Sequence, residues 1–175
     1  MFCSSCGTNL LGSPKFCPEC GTASPADPTA RTTAQSTEQH LIETLPQKLE
    51  KALAQTLMPS ETVLLKIKGL FTEGLICTDK RVIILKGGYL AGQMFGTNLF
   101  QSAYRQISSA DIKLNILTGY FELSTAGMQQ TEKKFWSNNT KTDPAKAPNC
   151  ISLSKTMQPK FRDACNLILD RVASI

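Results

Sequence analysis

Histidine is almost missing from this chain of 175 residues: His40 is the sole one, at the edge of a polar stretch. The side chain most often used as a general base near neutral pH is therefore nearly unavailable. A glycine-rich phosphate loop and a nucleophile elbow are also lacking, and Glu73, Asp79, Asp111 and Glu122 fall in expected turns or strands without an evident acid or base partner. These absences leave enzymatic chemistry without support. Long apolar runs are lacking too. The longest compact one, Val82-Ile83-Ile84-Leu85, is closed by Arg81 and Lys86, and the start shows neither a basic n-region nor an apolar core, so neither a signal peptide nor a membrane span is expected. Charge of one sign is scarce: 19 Lys and Arg against 14 Asp and Glu give a net +5, a mild excess that does not by itself imply nucleic acid.

Cysteine, by contrast, is plentiful and patterned. Cys3-Ser4-Ser5-Cys6-Gly7 and Cys17-Pro18-Glu19-Cys20-Gly21 place two C-x-x-C pairs ten residues apart. Each pair can present two sulfurs to one ion from a tight turn, and the glycine that follows supplies the positive φ such turns often need. The pattern resembles the zinc ribbon found at the N-terminus of many small bacterial proteins, with residues 2–22 covering the module. Cys17-Pro18-Glu19-Cys20 alone also looks like a disulfide-exchange motif, but it lacks the surrounding βαβ unit. Cys3, Cys6, Cys17 and Cys20 are thus expected to hold one structural zinc ion. Four sulfurs close the site, leaving no position for catalysis. With zinc bound, the formal charge falls from +5 to about +3. The ribbon carries only Lys15, Glu19, Phe2 and Phe16 as charged or aromatic residues, a poor footprint for a phosphate backbone. Reduced thiolates suit the cytoplasm, and Cys77, Cys150 and Cys165 read as small apolar residues of a core.

Residues 23–43 read as a flexible linker. From 22 to 38 the only apolar side chains are alanine and proline, too few to fold alone. Leu45, Leu49, Ala52, Leu53 and Leu57 then fall on one helical face, predicting a helix over 46–57 that is capped by Thr44 and stopped by Pro59. Strands follow at short intervals: Val63, Leu65 and Ile67 alternate; Leu75-Ile76-Cys77 leads through Thr78-Asp79-Lys80-Arg81 into Val82-Ile83-Ile84-Leu85. Ile112, Leu114 and Ile116 alternate before a turn at Leu117-Thr118-Gly119, and Phe121, Leu123 and Thr125 continue beyond it. Residues 131–136 and 150–154 supply two more strands around a polar loop, 137–149. Pro159 opens a last helix whose stripe is Phe161, Ala164, Cys165, Ile168 and Val172. About seven antiparallel strands closed by one helix make a mainly β (α+β) fold, a small barrel with a helical lid.

The stretches 61–69, 75–85, 104–112 and 119–125, with the final helix, resemble the bacterial pleckstrin-homology-like family over residues 60–174. Their order and spacing carry the resemblance, and Thr78-Asp79-Lys80-Arg81 is its strongest piece. It implies an antiparallel barrel capped by the C-terminal helix, within a unit spanning 44–175 that includes the leading helix. Eukaryotic relatives hold phosphoinositide headgroups with basic residues between the first two strands. Here that connection is Gly69-Leu70-Phe71, with no room for a basic cradle, so a specific phosphoinositide is not expected. The segment 89–100, rich in Tyr, Leu, Met and Phe, departs from the family, and with Phe95 and Phe100 it is read as a self-association or partner surface unless it folds back on the barrel. Lys133-Lys134-Phe135-Trp136 mixes cations with the sole tryptophan, a composition of interfaces and membrane surfaces. The chain thus reads as a non-enzymatic adaptor with an unknown protein partner and a possible homo-oligomeric state. Peripheral attachment to anionic lipid is the alternative, and nucleic-acid contact by the ribbon a third reading.

One zinc per chain is expected from metal analysis of protein purified without chelator. Cys17→Ser should abolish that stoichiometry while leaving the thermal transition of residues 44–175 nearly unchanged. Protein that carries no zinc and holds a Cys17 to Cys20 disulfide in reducing buffer would refute the ribbon.

Overall fold

The computed structural model describes residues 6, 8, 9, 19, 20, 41–88, 96–128, 133–135, 137, 139 and 142–175. The chain divides into two compact units, Met1–Thr37 and Glu38–Ile175. The second unit is mainly β. Its elements run α1 (Gln47–Thr56), β1 (Val63–Lys68), β2 (Glu73–Thr78), β3 (Arg81–Gly87), β4 (Thr97–Ala103), β5 (Ile107–Leu114), β6 (Thr118–Thr125), β7 (Cys150–Ser154) and α2 (Gln158–Ala173). The strands form two antiparallel sheets, ordered β1-β2-β3-β4 and β5-β6-β7. Two sheets and a C-terminal helix match the expected fold class. The barrel is not closed, however: among the described residues no strand pairing joins β4 to β5 or β1 to β7.

One core fills the space between the sheets. Leu65, Ile67, Leu75, Cys77, Val82 and Ile84 from the first sheet meet Phe121, Leu123, Ile151 and Leu153 from the second. Phe161, Ala164, Cys165 and Ile168 of α2 complete it, as the helical stripe predicted, with Val172 packed at its margin. Phe121 and Phe161 lie with ring centroids 5.9 Å apart. A second cluster lies on the other face of the first sheet, where Leu45, Leu49 and Leu53 cover Ile76, Ile83 and Leu85. That double covering explains why Val82-Ile83-Ile84-Leu85 reads as an unbroken apolar run rather than an alternation, since a strand buried on both faces has no polar side.

Several local expectations are corrected. Thr44 does not cap α1: the helix has no side-chain cap, and the Glu50 carboxylate instead accepts the Leu45 N–H at 2.8 Å and the Lys66 ammonium at 2.7 Å. Leu41 to Glu43, read by composition as linker, lie along β1, with Ile42 in a parallel bridge to Lys66 and backbone bonds on both sides of it. The end of the apolar segment 89–100 belongs to β4, an edge strand whose Thr97-Asn98-Leu99-Phe100-Gln101-Ser102-Ala103 has no period-2 pattern to announce it. Of the strand expected over 131–136, the described residues 133–135 are not in strand conformation.

The long connection between β6 and β7 is tied to the first sheet by a buried lysine. Lys86, 1% exposed, donates to Glu73 Oε1 at 3.0 Å and to the carbonyls of Pro144 and Ala145 at 2.8 and 3.0 Å. Three oxygens meet the three donors of the ammonium. Glu73 is its cross-strand neighbour, and the other carboxylate oxygen accepts the Ser152 N–H of β7 at 2.7 Å. Burial pushes the Glu73 carboxyl above its ordinary range, against the pull of Lys86 and of the Ser152 bonds. Gly69 approaches the same place so closely that a Cβ would stand 2.5 Å from Ile151 Cγ2, so a larger residue there must push the Ile151 side chain aside. Lys86→Met should cost about 3–5 kcal/mol because it strands a buried carboxylate, and adding Glu73→Gln should recover about 1–2 kcal/mol of that. Urea denaturation of the two variants tests the coupling, which is refuted if the second change adds its own loss to the first.

Candidate functional site

The Thr78-Asp79-Lys80-Arg81 stretch makes the β2–β3 turn, and each of its side chains is hydrogen-bonded within the unit. Arg81 grips the Glu61 carboxylate with two parallel bonds of 2.8 Å, donates to the Thr56 carbonyl at 2.9 Å, and contacts Gln101 on β4. Thr78 Oγ1 donates to Glu61 Oε1 at 2.8 Å and accepts the Arg81 N–H at 3.0 Å. Asp79 Oδ1 accepts the Thr62 N–H at 2.9 Å and so fastens the turn to the start of β1. The buried Tyr104 hydroxyl donates to the Thr78 carbonyl at 2.6 Å, and burial raises its pKa. The turn therefore joins α1, β1, β2, β4 and the 3-10 turn Tyr104–Gln106. Its residues shape the fold.

Sulfur chemistry is suppressed in this unit. Cys77, Cys150 and Cys165 are buried thiols. Burial pushes Cys150 up to about 12 and Cys165 up to about 11, and Cys77 higher still. At neutral pH such thiols are protonated and inert.

Only some of the expected site residues fall among the described residues. Cys6 and Cys20 are exposed, and Cys6 Sγ lies 3.2 Å from Thr8 Oγ1; Cys3 and Cys17 lie outside the described residues. Phe95 and Trp136 also lie outside them. Phe100 is half-buried and packs against the main core. Lys133 is folded inward, its side chain 6% exposed and its ammonium 3.4 Å from the equally buried Glu122, whereas Lys134 is exposed. Phe135 packs edge-on against Tyr120 at 6.2 Å. Half of the basic and aromatic cluster is therefore occupied with the unit's own interior.

Among the described residues, two concave surfaces stand out. A groove of about 280 Å³ is lined by Phe100, Gln101 and Ser102 of β4 with Gln106, Thr125 and Ala126 across from them. It opens beside the outer edge of β4, where no described strand pairs. Sequence reasoning missed this feature because an edge has no signature when its strand does not alternate. The second, about 460 Å³, lies between the β1–β2 turn and the end of β3, lined by Pro46, Lys68, Leu70, Phe71, Thr72, Gly87 and Gly88. Lys68 is its sole charged lining residue.

No family model matches the sequence, and no curated protein matches it. Among solved structures, the chain is similar to a DUF1696-family protein with a pleckstrin-homology domain from Shewanella loihica PV-4, at 13% identity and TM-score 0.41 over 69% of this chain and 97% of that one. It is also similar to a pleckstrin homology domain from Shewanella amazonensis SB2B, at 18% identity and TM-score 0.37 over 48% of this chain and 76% of that one. Among the described residues, no helix is long and apolar enough to cross a membrane.

The Arg81 bonds hold the Glu61 carboxyl down at about 2, below its ordinary 4.5. A depressed carboxylate stabilises the fold above its unfolded value and loses that contribution as pH falls through the folded one. The difference in unfolding free energy between wild type and Glu61→Gln should therefore be about 2–3 kcal/mol at neutral pH. It should shrink between pH 4.5 and about 2, and a gap that stays constant across this window in denaturant titrations would contradict the pairing.

Proposed function

We propose that this chain is a non-enzymatic adaptor of the cytoplasm, in which a zinc-held N-terminal unit and a pleckstrin-homology-like unit each bind a protein partner. The observation that supports the second half is the outer edge of β4, against which no described strand pairs, with its adjoining groove. An edge strand offers a row of backbone N–H and C=O groups, and an extended segment laid against it gains main-chain hydrogen bonds while alternate side chains drop into the neighbouring depression. Phe100, Gln101 and Gln106 line that depression. A second copy of the chain can supply the segment: β4 against β4 is self-complementary about a two-fold axis, which is the form self-association takes in this reading.

For the N-terminal unit the donor set itself supports zinc. Four thiolates from Cys3, Cys6, Cys17 and Cys20 match the soft, closed ligand shell of a structural ion, and the described pair, Cys6 and Cys20, is exposed rather than committed to a core. The ion would organise a segment too short to bury a core of its own.

Leu99, exposed on β4, is the position at which to test the edge. A lysine there places a charge on the strand that an incoming strand must desolvate. Sedimentation of the full chain should show a species larger than the monomer that survives high salt, and Leu99→Lys should shift it to monomer without lowering the thermal midpoint. A wild-type chain that stays monomeric, with captured partners unaffected by Leu99→Lys, would overturn the assignment of the edge.

A further inference from the structure

The β5–β6 hairpin ends on Ile116 and Leu117, between an Asn115 N–H and the Thr118 carbonyl that accepts it at 2.7 Å. These two side chains are 89% and 77% exposed. Tight turns favour glycine, asparagine and aspartate because those residues meet the backbone's demands and water's together. Two adjacent branched aliphatic residues do neither, and they form one apolar point on a convex tip.

The surroundings of that point are basic. The Leu117 carbonyl accepts the Lys155 N–H at 3.3 Å, which places Lys155 at the base of the tip. Three residues earlier, and so within about 10 Å along the chain, the Ser152 carbonyl accepts the Leu70 N–H of the β1–β2 turn at 2.7 Å. Leu70 is itself 37% exposed. Lys68, which precedes that turn, and Lys155 are both exposed, and among the described residues neither has a carboxylate within salt-bridge distance. Lys160, the next lysine along the chain, pairs with Glu43 at 2.8 Å, and Glu43 also accepts the Lys68 N–H at 2.7 Å. Lys113, nearer the tip on β5, is 3.6 Å from Glu122, its charge offset within the unit.

We propose that the Ile116-Leu117 tip inserts into the interfacial layer of an anionic bilayer, with Lys155 and Lys68 against its headgroups. A protruding pair of aliphatic side chains reaches the depth of the headgroup and acyl boundary, about 5–10 Å, without requiring a concave receptor. The flanking cations select a negatively charged surface and make the contact salt-dependent. No bound headgroup is needed, consistent with the absence of a basic cradle in the β1–β2 connection. A single apolar point with two lysines gives weak, reversible attachment, so avidity from a second copy or from a partner would strengthen it. The contact does not rest on the β4 edge.

Co-sedimentation of the full chain with vesicles of phosphatidylcholine alone, or mixed with phosphatidylglycerol, tests the proposal. Binding is expected to the mixed vesicles only, weakening as salt rises. Ile116→Ser with Leu117→Ser should reduce it about tenfold, and Lys68→Ala with Lys155→Ala should reduce it and flatten the salt dependence. Both pairs are exposed, so thermal midpoints should hold, and Leu117→Trp reports insertion directly through a blue shift in emission on adding mixed vesicles. Wild type that ignores the mixed vesicles, binding that survives the double serine change, or a tip tryptophan whose emission does not move would each overturn the proposal. Loss of self-association through Leu99→Lys with the tip shift retained would separate this contact from the β4 edge.

Discussion

A lysine ammonium withdrawn from water must find oxygen for all three of its protons or give up its charge, and Lys86 finds them in two distant parts of the chain. Because Glu73 bonds Ser152 at the same time, this one buried cation links the meander β1-β2-β3 to the β6–β7 connection and to β7. The hydrophobic core would hold the sheets together with some freedom of register, since apolar contact is not directional. The ion pair removes that freedom. Asp143 begins the loop segment it grips, accepting the Ala145 N–H at 3.0 Å and the Ala147 N–H through its backbone carbonyl at 2.8 Å. A connection that would otherwise be a long polar excursion is thereby made part of the interior.

The Arg81 turn does a similar service at another corner, so the two most polar clusters of the unit both serve to position backbone. Neither presents a reactive group to solvent, and the buried thiols are protonated. What the surface offers instead is shape: an unpaired strand edge, a shallow groove beside it, and a pointed hairpin end between basic flanks. These are means of holding on to other molecules, and the proposed adaptor role draws on them.

The parts of this arrangement legible in the sequence are those set by local periodicity. The α2 stripe, the doubly buried β3 run and the β1 alternation are all consequences of residues near one another in the chain, and each lies where the pattern places it. Periodicity misled at Ile116. Its two-residue spacing from Leu114 put it on the core face, but β5 ends at Leu114 and the side chain stands in solvent. Lys133 reads as a surface cation because nothing nearby in sequence tells that Glu122 awaits it beneath. Lys86 is the extreme case, its partners lying 13 residues before it and 58 and 59 after it, a separation across which no pattern of spacing can speak.

The two ends of the first sheet are treated differently. The β1 edge is shielded by Leu41 to Glu43 and flanked by Lys66 and Lys68, while β4 carries no charged residue and no proline in its whole length. Neutral, unbranded edges of this kind are what colloidal instability grows from, because each copy exposes a template that the next can join without desolvating a charge. At high concentration this edge is therefore the first site at which copies would stick indiscriminately, so the solubility of the chain depends on what covers it.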